Sequence, residues 1–126
     1  MKRIHLDTHV AARLAGRSKI TLSKHAKHLI DSSLVVISPI VTLEMQMLVE
    51  IGRSRVPVDR SLELLRQLGV SVLEERFPEA VWASRPLLWT RDPFDRLIVG
   101  HAVADEEATL LTFDERILKH YKQALS

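Results

Sequence analysis

At 126 residues, 46% apolar and 27% charged, the chain has the length and make-up of one globular domain with a substantial core. It holds no apolar run near the roughly 20 residues of a membrane span, and the apolar stretch at 4–6, broken by His5, is too short for a secretory leader. The absence of cysteine excludes disulfides, thiolate metal centres and a cysteine nucleophile and suits a reducing cytoplasm, while the net charge of +2 says less than its distribution.

Residues 2–6 read as a short strand ending at Asp7 and Thr8. A helix over 9–15 follows, stopped by Gly16, and 22–32 read as a second, basic helix. LVVI at 34–37 is a continuous apolar run, the pattern of a strand buried on both faces. Ser38 and Pro39 then supply an N-cap and a first-turn proline for a helix to about residue 51, ended by Gly52. Leu62, Leu64, Leu65 and Leu68 recur at helical spacing over 59–68, and VSVL at 70–73 is a further strand. Pro78 opens a short helix through Trp82, and Asp92 with Pro93 opens another to about residue 105. ATLLT at 108–112 is a strand, and 114–124 form a terminal helix. Strands alternating with helices, without hairpin signals, predict an α/β fold whose parallel sheet is covered on both faces. In such sheets, sites form at the carboxyl ends of the strands.

The acids fall on that edge. Asp7 ends the first strand, Asp114 lies two residues past the last, Glu44 is one to two turns into the helix after the second, and Asp95 is in the first turn of the helix capped by Asp92. Each also has a structural reading. Asp92 and Asp114 are good N-caps, Asp95 suits the helix dipole, Glu44 serves as a surface acid, and Asp7 as a turn aspartate. Jointly, carboxylates converging on one edge repel each other unless a cation holds them. Oxygen-only ligands suit a hard ion, Mg²⁺ or Mn²⁺, with a phosphate as its further partner.

No acid occurs between Asp7 and Asp31, a span carrying Arg13, Arg17, Lys19, Lys24 and Lys27 with His9, His25 and His28. Solvated helix faces and a phosphate-backbone footprint both account for it. His25, His28 and Asp31 make a poor zinc set on an exposed helix. Scattered glycines exclude a Gly-rich phosphate loop, and no serine lies in a nucleophile-elbow context. Trp82 and Trp89 read as core or interface packing.

Four segments together, LDTHV (6–10), SPIVTLEM (38–45), RDPFDRLIVGHA (91–102) and TFDERI (112–117), resemble the PIN-domain superfamily, and within it the VapC-like toxins of toxin–antitoxin pairs. Asp7, Glu44, Asp95 and Asp114 match that family's acidic quartet, Thr8 and Thr112 its accompanying hydroxyls, and Asp92 the DPFDR form of the third motif. The resemblance implies a Rossmann-like three-layer sandwich with four or five parallel strands, as one domain over 1–126. It also implies Mg²⁺- or Mn²⁺-dependent endoribonuclease activity, a homodimer and neutralisation by an antitoxin. Ala11, Ala12 and Arg13 depart from the apolar residues and Trp that often follow DTHV in such toxins.

The expected chemistry is metal-assisted phosphodiester hydrolysis, with Asp7 and Asp95 as main ligands and Glu44 and Asp114 completing the shell. Arg13, Arg17, Lys19, Arg91 and Arg96 are candidates for the RNA backbone, Arg96 equally for a structural ion pair. The helix over 38–51 leaves a Met-containing surface for an antitoxin helix or a second subunit. The rival readings are a housekeeping PIN nuclease in RNA processing and a non-catalytic RNA- or protein-binding module.

Overall fold

The structure, a computed structural model, describes residues 2–16 and 22–126. Strand β1 (Arg3–Leu6) leads into α1 (Thr8–Ala15), and α2 (Lys24–Ser32) precedes β2 (Leu34–Ile37). Helices α3 (Pro39–Glu50) and α4 (Val58–Gln67) lead to β3 (Val70–Val72). Helices α5 (Phe77–Ser84) and α6 (Pro93–Ala104) lead to β4 (Thr109–Leu111), followed by α7 (Glu115–His120) and β5 (Ala124–Leu125).

The five strands are parallel in the order β3-β2-β1-β4-β5. The chain therefore builds outward from β1 through β2 to β3, then returns past β1 to lay down β4 and β5. That reversal opens a crevice between β1 and β4 at their carboxyl ends, where open α/β sheets bind ligands. The register, Leu6 opposite Leu111, brings Asp7 level with Thr112. The α/β parallel architecture and its strand number agree with the sequence reading.

The core runs through both layers of helices. Ile4, Leu6, Ile37, Leu110 and Leu111 from the sheet meet Val10, Val41, Leu65, Ile98 and Ile117 from the helices, all at most 2% exposed. Helix α6 lies tightly on α5 because residue 100 is glycine. A Cβ there would stand 2.6 Å from the Ala80 carbonyl oxygen and 2.9 Å from Ser84 Cβ.

One expectation needs correction. The last helix stops at His120 rather than running to residue 124. Tyr121 turns to an extended conformation (φ −101°, ψ 115°), and Ala124 and Leu125 pair with Leu110 and Leu111 as a fifth strand. The two tryptophans also part company. Trp89 packs against the core and stacks flat on His120, centroids 5.0 Å apart. Trp82 leaves the core altogether, 67% exposed with the Arg85 guanidinium 5.2 Å over its ring.

Candidate active site

At the crevice between β1 and β4, a cavity of about 260 Å³ is lined by Asp7, His9, Arg13, Glu44, Asp92, Asp95, Phe113 and Asp114. Four separate segments deliver its acids. Asp7 follows β1 and caps α1, accepting from its neighbour's backbone, Thr8 N, at 2.8 Å. Its other carboxylate oxygen accepts from the Thr112 hydroxyl at 2.5 Å. The same Thr112 oxygen accepts from Asp114 N at 3.0 Å, so one side chain fixes both the end of β1 and the turn after β4. Glu44 comes from the middle of α3 and accepts from the Thr8 hydroxyl. Both hydroxyls singled out in the sequence thus orient carboxylates.

Asp92 and Asp114 combine two positions: each lines the cavity and each caps a helix. Asp92 accepts from Phe94 N at 2.9 Å and from Asp95 N at 3.4 Å. Asp114 accepts from Arg116 N at 2.8 Å and from Ile117 N at 3.1 Å. Capping accounts for one oxygen of each and leaves the other available to the cavity. Asp95, in the first turn of α6, accepts no hydrogen bond within the protein among the described residues and faces the other acids.

The electrostatics follow from this crowding. Burial, then the charges of Asp92, Asp7, Asp114 and Glu44, push the Asp95 carboxyl up to about 7. Burial also raises Asp7, against the lowering by its bonds to Thr112 and Thr8, and raises Glu44, aided by the charges of Asp7 and Asp92. A divalent cation would reverse all three shifts, since it favours the ionised forms. The five carboxylates, which outnumber the one imidazole of His9 on the cavity wall, offer oxygen donors, the chemistry of Mg²⁺ or Mn²⁺ rather than of zinc. Among the described residues no three acidic or imidazole groups already stand at ligand distance from one point. The donors therefore fit such an ion in chemistry, and holding one would require their side chains to draw inward.

The basic candidates separate. Arg13 lines the cavity with its guanidinium 4.7 Å over the Phe113 ring. Arg91 is exposed beside Asp92. Arg96 instead donates to the backbone carbonyls of Ser84 at 3.3 Å and Arg85 at 2.8 Å, tying the end of α5 to α6. Arg17 and Lys19 lie outside the described residues. His9 and Phe113 line the cavity without having been singled out as site residues. Their signal was position alone, two residues after Asp7 and one before Asp114.

The chain matches the family described as PIN domain over residues 4–123. Among solved structures it is similar to one entitled "Crystal structure of VapBC2 from Rickettsia felis bound to a DNA fragment from their promoter", with a TM-score of 0.68. That match covers 98% of this chain and 96% of the other at 20% identity, a likeness of fold. No curated protein matches the sequence. Matched along nearly its whole length, and with its acids at the crevice of a five-stranded parallel sheet, the chain belongs to the PIN domain family.

Proposed function

We propose that this protein is a divalent-cation-dependent endoribonuclease and the toxin of a toxin–antitoxin pair. The observation that carries the reading is the cavity itself. Elements distant in sequence bring Asp7, Glu44, Asp95 and Asp114 together, and their mutual repulsion with burial holds Asp95 near 7. A fold does not gather charges at such a cost without something to neutralise them.

Asp7 and Asp95 would hold the ion, with Glu44 and Asp114 adding oxygens directly or through water. When bound, the cation supplies neutralisation of the scissile phosphate and a more acidic water. The protein's own part is orientation. Thr112 and the Thr8 amide fix both oxygens of Asp7, and the Thr8 hydroxyl aims Glu44 across the cavity. Asp95, whose carboxyl burial and its acidic neighbours push up to about 7, would have to lose its proton to hold such an ion. Arg13, which lines the cavity, and Arg91, exposed beside Asp92 in the chain, suit the RNA backbone.

Two features support a protein partner. The related fold named above belongs to a VapBC2 assembly, and by analogy an antitoxin would cover this chain. Helix α3 and its C-cap residue also expose Leu43 (50%), Met47 (42%) and Ile51 (64%), spaced four apart, while Met45 is turned into the core. Such a stripe suits an antitoxin helix or a second subunit.

The test is cleavage of total RNA by purified protein with Mg²⁺ or Mn²⁺ and with chelator, read by sequencing of the ends, beside the Asp7→Asn variant. Metal-dependent cuts lost in the variant support the enzyme; cuts equal in the variant overturn the site. Growth arrest on expression, relieved by a neighbouring gene product, supports the toxin. Cleavage without growth arrest points to an RNA-processing nuclease instead.

A further inference from the structure

Several polar side chains, all but Arg3 buried, take no part in the cavity, and they form one connected line through the protein. Arg3 donates to both oxygens of Asp105, from Nε at 3.0 Å and from Nη2 at 2.5 Å. His5 Nε2 lies 2.9 Å from Asp105 Oδ2, and the His5 ring meets His101 edge-on, centroids 5.3 Å apart. His101, fully buried on α6, ends the line with Nδ1 2.8 Å from the Ser38 hydroxyl and Nε2 2.8 Å from the Glu75 carbonyl oxygen.

The partners assign the imidazole. A carbonyl only accepts, so His101 Nε2 carries the hydrogen and donates to Glu75, and Nδ1 accepts from the Ser38 hydroxyl. Ser38 Oγ in turn accepts from Ile40 N, at 3.4 Å, as the N-cap of α3. One ring therefore joins three elements: α6, the start of α3, and the turn between β3 and α5. In that turn Arg76, directly after Glu75, holds a left-handed conformation (φ 62°) that a non-glycine residue adopts only when its surroundings impose it.

The placement of this junction is what gives it a functional consequence. His101 lies six residues after Asp95 on α6, and Ser38 lies six residues before Glu44 on α3. Each helix carries one acid of the cavity, and the Ser38–His101 bond is a direct polar link between them. Helices are stiff, so a shift at this junction passes to the acids, and ligand groups need to be held within about 0.5 Å by such supporting bonds.

We propose that His101 is a positioning residue for the carboxylate site. By holding the Ser38 hydroxyl and the Glu75 carbonyl it fixes α3 against α6, and with them the separation of Glu44 from Asp95. The proposal rests on the reading of the cavity as a cation site.

The experiment compares Mn²⁺ affinity, by calorimetry, with the distance between spin labels on α3 and α6. The chain has no cysteine, so Gln46→Cys and Ala104→Cys introduce one defined pair, diluted with unlabelled protein. His101→Phe fills the space but bonds to neither partner; it should weaken Mn²⁺ binding by about tenfold or more and broaden the label distance. His101→Gln, whose amide accepts from Ser38 and donates to Glu75, should restore both. Leu110→Ala destabilises through the core without touching the junction, and at a temperature where every variant is folded it should leave both unchanged. Should His101→Phe not fold, Ser38→Ala takes its place with the same expected losses. Wild-type affinity and label distance in the folded variant overturn the proposal, as does an equal effect of Leu110→Ala. If the wild type takes up no Mn²⁺, the cation reading fails instead, and an unchanged label distance then overturns the pinning of the helices as well.

Discussion

Thr112 donates its hydroxyl hydrogen to Asp7 across 105 positions of sequence, and its oxygen accepts from Asp114 N. Replacing it with valine keeps the shape and removes both bonds. A hydrogen bond to a charged group contributes about 1.5–3 kcal/mol, so Thr112→Val should lower unfolding stability in urea by that order. It should also weaken cleavage, because Asp7 loses the bond that orients it. Thr112→Ser should recover most of both. Unchanged stability in the valine variant would show that Asp7 is held by other means.

Asp95 sets the expected pH dependence. Its folded value, about 7, lies above its ordinary 3.8, so between these values the folded protein binds more protons than the unfolded chain. Metal-free stability should therefore fall as pH rises from about 4 to about 7, then level off. Asp7 and Glu44, also raised, act in the same direction. Asp105 opposes them only in acid. Burial would raise it, but the bonds from Arg3 and His5 prevail and hold it at about 2, and that stabilisation is lost as pH falls toward 2. Asp95→Asn should flatten the slope between pH 4 and 7, stabilise the metal-free protein at neutral pH and abolish cleavage. Thermal melts across pH, with and without Mg²⁺, measure this; an unaltered slope would contradict the shared charge repulsion.

How far the sequence carried this picture depended on the kind of signal. The first four strands were legible because LVVI and ATLLT are apolar runs between helix caps, and the caps Ser38, Asp92 and Asp114 sit where short polar side chains before Pro or a helix predict them. The fifth strand was not, since two residues carry no periodicity and Ala124–Leu125 is defined only by its pairing with β4. The positions of Asp7, Asp95 and Asp114 were legible as strand-end and first-turn residues, and that of Glu44 as one to two turns into a helix. The line from Arg3 through Asp105 and His5 to His101 was not. A histidine in a strand and another in a helix, 96 positions apart, announce nothing until the sheet brings them together.

The two arginines flanking the third acidic motif should behave differently. Arg96→Ala removes donors from the Ser84 and Arg85 carbonyls and should lower the melting temperature with little change in RNA affinity per folded molecule. Arg91→Ala should leave the melt alone, weaken RNA binding, and reduce the slope of log affinity against log salt by about 1. Titrations at several salt concentrations distinguish them, and a reversed pattern would reassign Arg96 to substrate.

Gly100→Ala tests the contact between α5 and α6. The added methyl meets the Ala80 carbonyl oxygen, a backbone atom that cannot rotate away. Forcing the helices apart should cost about 1–3 kcal/mol, seen as a lower urea midpoint. A variant as stable as the parent would show that α5 moves freely on α6.

The last strand gives the site a schedule. Thr112 N donates to the Leu125 carbonyl at 3.0 Å, so the residue that orients Asp7 is itself held by β5. During translation Asp7 emerges early and waits for Thr112, and Thr112 waits for Leu125. A nascent chain thus carries all its acids before it carries their arrangement. For the ribonuclease proposed above, made on RNA, this order would postpone activity until β5 has been synthesised.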